Sequence, residues 1–159
     1  MPNSNSKLPI LEKGQSLFEV LFSIAIISII LIALVSLVAG SVRNSDFSQN
    51  NALATKYVQE ASEWIRQYRD ADWNEFKTRS GGGSGSTWCI DTLPYPPPTW
   101  GLVSACTGTI PGTPFTREMN LVDDTTDPDL VHVTIVASWE DSQGMHTVKS
   151  ISSLSNWNR

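Results

Sequence analysis

The first part of the chain is patterned as an apolar helix. Residues 20–42 carry no charged side chain and consist mainly of Ile, Leu, Val and Ala. At about 1.5 Å per residue, a helix of this length spans the roughly 30 Å hydrocarbon core of a bilayer. No comparable run follows Arg43. The pattern predicts a single transmembrane helix over residues 15–43.

Beyond this span, apolar side chains recur at the i, i+3, i+4, i+7 spacing of a helix with one buried face. The predicted stripe is Phe47, Ala54, Tyr57, Val58, Ala61, Trp64, Ile65, Tyr68 and Ala71. The opposite face is polar and offers two i, i+4 ion pairs, Lys56–Glu60 and Arg66–Asp70, each worth about 0.2–0.5 kcal/mol. We predict an amphipathic helical arm over residues 44–79, continuous with the span as one helix to about residue 76.

The C-terminal part alternates with the period of two that is typical of half-buried strands. Apolar residues alternate with polar ones in two segments: Phe115, Met119 and Leu121, then Val131, Val133, Ile135, Ala137 and Trp139. A turn is predicted at Asp141–Gly144, followed by a returning strand over 145–154. We expect Trp157 to pack back on the domain. The predicted fold class is α+β, with a long N-terminal helix packed on a small C-terminal antiparallel sheet.

Two segments separate the helical and β-rich parts. Residues 80–86 (SGGGSGS) have the composition of a flexible linker. The β-rich head is assigned to 87–159 and opens with a Pro- and Trp-rich stretch. Pro96, Pro97 and Pro98 exclude helix and central strand from that stretch.

The head contains the chain's two cysteines, Cys89 and Cys106. An even count in a small exported domain favours a disulfide. The bond would close a loop of about 18 residues and contribute about 3 kcal/mol. A zinc site would need further thiols or histidines at ligand spacing, which the sequence does not supply.

Charge bears on partners and orientation. The formal net charge is -5 and no basic stripe occurs, so duplex nucleic acid is not an expected partner. Lys7, Lys13 and the terminal amine precede the span, whereas Arg43 and Lys56 follow it. By a small margin this places the N-terminus in the cytoplasm and the head outside it.

The order of polar and apolar segments at the N-terminus is the reverse of that in a secretory signal peptide. Residues 1–14 are polar, end in Lys13-Gly14, and precede the apolar run. One acid, Glu19, interrupts the start of that run. An unpaired carboxylate within a membrane helix costs a few kcal/mol, and such residues are usually functional. The alternative is that Glu19 lies at the membrane interface.

The segment KGQSLFEVLFSIAIIS resembles the processing motif of type IV prepilins and pilin-like proteins. Gly14 matches the residue before the cut, Gln15 the new N-terminus, and Glu19 the acid at the fifth mature position. The resemblance implies that residues 1–14 are a leader peptide removed by prepilin peptidase, that Gln15 is N-methylated, and that Glu19 acts in assembly. Two departures are Gln15, where Phe is commonest, and the absence of a kink proline near Ser36.

The arm ATKYVQEASEWIRQYRDADW is similar to that of pilus-modification (PilV-type) minor pilins, and pseudopilins of type II secretion share part of the pattern. The resemblance implies a structural subunit, and specifically a minor one, of a type IV pilus (a fimbrium), with residues 15–43 in the filament core. It implies an inner-membrane protein that later reaches the cell surface. Expected partners are other pilin subunits, the prepilin peptidase, the inner-membrane assembly platform and the lipid bilayer. A secretion or competence pseudopilin, and a bitopic membrane protein with an extracytoplasmic binding head, remain alternatives.

No sequence motif predicts an enzyme or a cofactor. His132 and His146 have no motif around them, and we expect both at the surface. The acidic cluster Asp123, Asp124, Asp127 and Asp129 resembles the closely spaced carboxylates that calcium takes, and some pseudopilins bind calcium in a C-terminal loop. Asp123, Asp127 and Asp129 are thus a weak calcium candidate, although a solvated loop explains the acids equally well.

Overall fold

The computed structural model describes residues 15–94 and 103–157, with side chains from Leu17 onward. The chain divides into two compact units, Met1–Asp46 and Phe47–Arg159. In the first unit, the described residues belong to a single helix. The second combines helical arm and sheet.

Helix α1 runs from Gln15 to Ala71, and a short helix α2 follows at Trp73–Thr78. The two are separate because Asp72 has extended backbone angles, φ -154° and ψ 101°. Its side chain accepts a 3.0 Å hydrogen bond from the Glu75 N–H, which satisfies one donor of the new helix start. The single helix predicted to about residue 76 therefore ends at Ala71.

The sheet has four antiparallel strands in the order β1-β2-β3-β4. The strands are β1 (Ser86–Cys89), β2 (Thr116–Asp123), β3 (Leu130–Asp141) and β4 (Gly144–Ser155). The period-two pattern predicted β2, β3 and β4, whereas β1 was not predicted. The α+β fold class is confirmed.

The core lies between the outer part of α1 and one face of the sheet. Alternate residues of β3 from Val131 to Trp139 are buried, as the period of two requires. The helix contributes Ala54, Val58, Ala61, Trp64, Ile65 and Tyr68, and the sheet side contributes Trp88, Met119, Leu121, Val131, Val133, Ile135, Ala137, Trp139 and Leu154. Six residues of the predicted stripe thus form the helical side of the core, whereas Tyr57 is partly buried and Phe47 and Ala71 are exposed.

Of the two predicted helix ion pairs, one forms. Lys56 Nζ lies 3.7 Å from Glu60 Oε1. Arg66 instead pairs with Glu63 at 2.6 Å, and Asp70 pairs with its neighbour Arg69. An i, i+3 partner is as accessible on a helix surface as an i, i+4 partner, so spacing alone could not choose between them.

The segment predicted to be a flexible linker has defined secondary structure. Gly81 has φ 69°, residues Gly82–Ser84 form a 3-10 turn, and Ser86 already belongs to β1. Gly85 has φ 74°, and a Cβ there would lie 2.7 Å from Val122 Cγ2 and 3.1 Å from the Leu121 carbonyl oxygen. Gly81 and Gly85 are therefore required for their positive φ angles, and Gly85 also for its close packing, and not for flexibility.

Cys89 and Cys106 form a disulfide, with a Cα–Cα distance of 4.7 Å. The bond joins the end of β1 to the segment that leads into β2. The backbone N–H of Cys106 also donates a 2.7 Å hydrogen bond to Glu118 Oε1 on β2. The triple proline lies outside the described residues.

Candidate functional site

The described part of the first unit exposes an apolar surface along α1. Its large side chains from Leu17 to Val42 are exposed, with Phe18 at 74% and Ile32 at 71%. Soluble proteins rarely expose continuous apolar patches above a few hundred Å² unless the patch has a partner. By length and composition, α1 is the one helix among the described residues that could cross a membrane.

Polar groups within this apolar stretch are few. Ser23 and Ser28 each donate a 2.8 Å hydrogen bond to the backbone carbonyl four residues earlier, at Glu19 and Ile24. Their hydroxyls are therefore satisfied within the helix, as an apolar environment requires. The Glu19 side chain is exposed and is the only charge between Gln15 and Val42.

The predicted processing residues lie at the start of this helix. Gln15 is the first residue of α1, and its side chain is not among those described. Gly14 and the predicted leader, 1–14, lie outside the described residues. Four helical residues correspond to about 6 Å along the axis, so an amine at Gln15 would lie about one turn from Glu19.

In the second unit, Arg117 on β2 connects the helix to the sheet. Its side chain is only 3% exposed, among the apolar residues of the core. The guanidinium donates to the backbone carbonyls of Ile90 at 2.8 Å and Tyr57 at 3.1 Å, and it lies 3.7 Å from Glu60 Oε2. Burial lowers the pKa of Arg117, and Glu60 partly offsets this effect. Arg117 was not singled out from the sequence, although it occupies an inward position between Phe115 and Met119.

His146 lies in an aromatic cluster at one end of the sheet. Its ring is 5.1 Å from that of Trp139 and 5.2 Å from that of Phe47, measured between centroids. Its Nε2 is 2.9 Å from Asp141 Oδ1 across the β3–β4 turn. The Gln143 N–H and the His146 side chain lower the pKa of Asp141. His146 was expected at the surface, but it is only partly exposed. Its side chain contacts residues of α1, of β3 and of the β3–β4 turn.

His132 has two polar partners on the opposite face of the sheet. Its Nε2 is 2.9 Å from Asp124 Oδ2, and its Nδ1 is 2.9 Å from Ser153 Oγ. The Asp127 and Thr126 backbone N–H groups donate to Asp124 Oδ1 at 2.8 and 2.7 Å. The Asp127 bond, the His132 side chain and the Thr126 bond, in that order, lower the pKa of Asp124 to about 2. Sequence spacing gave no signal of this array, because β4 brings Ser153 to His132 from 21 residues away.

The calcium candidate Asp123, Asp127 and Asp129 does not form a ligand set. Among the described residues, no group of three His, Cys, Asp or Glu side chains is placed to hold a metal ion. Two carboxylates of the loop between β2 and β3 are turn acceptors instead: Asp127 Oδ1 accepts from the Asp129 N–H at 2.9 Å, and Asp124 Oδ1 accepts from the Thr126 and Asp127 N–H groups. Such Asx interactions explain closely spaced acids in a tight turn.

A small polar cavity of about 80 Å³ lies where the end of α1 meets the end of β4. It is lined by Arg69, Asp70, Ala71, Trp73, Ser155, Asn156 and Trp157. Trp157 Nε1 donates to Asp70 Oδ1 at 3.1 Å, and this bond lowers the pKa of Asp70. Trp157 therefore contacts the domain as expected, but through its polar edge, since the side chain stays 66% exposed.

Comparison with known proteins does not assign a family to the chain. No family model, curated protein or solved structure matches it.

Proposed function

We propose that this protein is a structural subunit of a type IV pilus or a related filament, anchored in the inner membrane before assembly. The observation that carries the proposal is the start of α1, where exposed apolar residues surround a single acid, Glu19. This apolar surface needs a partner: lipid before assembly, and the corresponding helices of other subunits afterwards. The resemblance of the KGQSLFEVLFSIAIIS segment to the prepilin motif supports the same proposal.

Cleavage after Gly14 would give Glu19 a role in assembly. The new amine at Gln15 is positive, and both it and the Glu19 carboxylate are costly in a water-poor helix bundle. Pairing the amine of an incoming subunit with Glu19 of a docked neighbour would offset much of this cost. A subunit at the wrong depth would not gain the pair, so the interaction sets register more than it adds stability.

The second unit is suited to the role of an extracytoplasmic head. Its Cys89–Cys106 disulfide is of a kind that persists in oxidising compartments and is rare in the cytosol. The partners in this proposal are other pilin subunits, the prepilin peptidase, the assembly platform and the bilayer. The arm's likeness to pilus-modification proteins favours a minor subunit, and the role is structural rather than enzymatic.

The Glu19→Ala variant tests the role of the acid. Because the substitution removes a charge that lipid disfavours, the variant should insert and be cut after Gly14 as the wild type is. Its recovery in sheared surface filaments should fall at least about tenfold, equivalent to about 1.4 kcal/mol. Glu63→Ala, which removes an exposed acid from the same helix outside the apolar stretch, should assemble normally. Equal recovery of Glu19→Ala and wild type would contradict the proposed pairing.

A further inference from the structure

The array of Asp124, His132 and Ser153 has the connectivity that activates a serine hydroxyl. His132 and Ser153 are cross-strand partners on β3 and β4, and they lie on the face of the sheet opposite the core. The imidazole contacts the serine oxygen through Nδ1 and the carboxylate through Nε2, each at 2.9 Å. Serine, base and orienting acid are therefore connected in one chain of hydrogen bonds.

The donor and the acceptor can be assigned for each hydrogen bond that links Ser153, His132 and Asp124. The low pKa of Asp124 keeps its carboxylate ionised, so it only accepts hydrogen bonds and the Nε2–H must donate to it. A neutral imidazole with its proton on Nε2 has an acceptor at Nδ1. The Ser153 hydroxyl therefore donates to Nδ1, which is the direction required for the imidazole to take the hydroxyl proton.

The register of β3 with β4 determines where the Ser153 N–H points. This N–H can donate to negative charge that develops in a reaction at Ser153. Just beyond the strand ends, the Asn156 N–H donates to the Asp129 carbonyl at 3.1 Å, which continues the β3–β4 register by one hydrogen-bonded pair. Hydrogen-bonded and non-hydrogen-bonded pairs alternate in an antiparallel ladder, so His132 and Ser153 are a non-hydrogen-bonded pair. The Ser153 N–H consequently points away from β3, and β4 is the last strand of the sheet.

We propose that Ser153 is a covalent acyl-acceptor site that reacts with activated acyl esters, either thioesters or aryl esters. Ser153 Oγ attacks the acyl carbon and its proton passes to His132 Nδ1. The new Oγ–C bond forms as the bond from carbon to the thiolate or aryl oxide breaks. The proton then passes from His132 to the leaving group, and the Ser153 N–H faces the oxyanion of the intermediate. The product is one acylated chain per ester consumed.

Ser155 provides an internal control. It lies on the same strand and the same exposed face as Ser153, and its cross-strand partner is Leu130 instead of a histidine. Both serines fall in one stretch of β4, so their acylation can be compared in the same sample by fragment mass. The comparison uses the full chain in detergent and does not depend on filament assembly.

The probe is p-nitrophenyl acetate, an activated aryl ester. In the folded wild type, Ser153 should be acetylated about a hundredfold faster than Ser155, the usual contribution of a positioned general base. The ratio should fall to about one in denaturant. His132→Gln should also bring it close to one while the circular dichroism of the folded protein is retained. Equal rates at the two serines in the folded wild type, or a ratio unchanged by His132→Gln, would overturn the proposal and leave only a structural cross-strand contact.

Asp124 acts as a positioning residue, and its role has a separate spectroscopic test. Nitrogen-15 chemical shifts of neutral His132 should place the proton on Nε2 in the wild type. In Asp124→Asn, the amide can donate to Nε2 and move the proton to Nδ1, and Ser153 acetylation should then slow by up to about a hundredfold, the full contribution of the base. An Nδ1–H tautomer in the folded wild type would overturn the assignment independently of any reaction rate.

Discussion

The guanidinium of Arg117 lies among apolar side chains where an unpaired charge would be costly. It is kept there by hydrogen bonds to carbonyls from two different parts of the chain, Tyr57 in α1 and Ile90 after β1. Removing one partner of a buried charged interaction leaves the others unsatisfied, and this penalty usually exceeds the net value of the interaction. Arg117 therefore fixes how the arm sits against β2 and the segment that follows β1.

Arg117→Ala should lower the free energy of unfolding by about 3 kcal/mol, because two carbonyls lose a charged donor and a cavity is left. Denaturant unfolding monitored by tryptophan fluorescence would measure the change. Arg66→Ala removes an arginine of the exposed pair with Glu63 and should cost no more than about 1 kcal/mol. Similar losses for the two variants would contradict the role given to Arg117.

Acid sensitivity is predicted for the loop between β2 and β3. The pKa of Asp124 is about 2 in the folded protein against an ordinary value of 3.8. Since the folded pKa is the lower one, the stabilisation is complete above about pH 4 and is lost as pH falls towards about 2. Asp124→Asn should therefore show a shallower loss of stability over this range, measured by urea unfolding at a series of pH values. Glu140→Gln, at the exposed far end of β3, should keep the wild-type slope, and parallel slopes for wild type and Asp124→Asn would refute the assignment.

At the residue scale, the sequence predicted inward-facing apolar positions well and polar partners poorly. Alternation alone places Val131, Val133 and Ile135 in the core, because parity along a strand is a local property. The same alternation along β2 places Arg117 on the inward face. This position is the feature of the sequence that indicates its burial. The pairing of His132 with Ser153 depends on the register of β3 with β4, which no local pattern specifies.

At the element scale, the helix and the three long strands follow from periodicity, whereas the breaks between elements depend on short-range chemistry. The end of α1 could have been found from Asp72 and Glu75, whose spacing is that of a capping box. Strand β1 gave no periodic signal because it has only four residues, Ser86–Cys89, and follows a glycine-rich turn. Composition suggested flexibility for that turn, but its glycines meet steric requirements that composition does not reveal.

Gly85→Ala tests whether the turn before β1 is a structural element. The residue has positive φ and its Cβ would meet Val122 and the Leu121 carbonyl, so the variant should lose about 1–3 kcal/mol of stability. Gly83→Ala is the matched control, because its φ is not positive and the nearest atom, Thr125 Cγ2, is 3.6 Å from the added Cβ. Thermal unfolding of both variants would compare them, and equal transition temperatures would show that the segment behaves as a flexible linker.

At the scale of the whole molecule, the two units have different kinds of surface. The described part of Met1–Asp46 is an exposed apolar helix, whereas Phe47–Arg159 has its own core and a disulfide. The hydropathy of the sequence predicts this division. It is compatible with the proposal that a membrane-spanning or filament-core segment is joined to a head. The processing site at its start is a prediction from the sequence alone, since Gly14 lies outside the described residues.

The intact mass of the protein isolated from membranes of a cell with an active prepilin peptidase tests the central proposal most directly. We expect a chain that begins at Gln15, with one methyl group added if the new amine is modified. Replacing Gly14 with a bulkier residue should block the cut and give the mass of the unprocessed chain as a reference. A wild-type mass that retains Met1–Gly14 would contradict cleavage after Gly14 and favour a bitopic membrane protein that does not enter filaments.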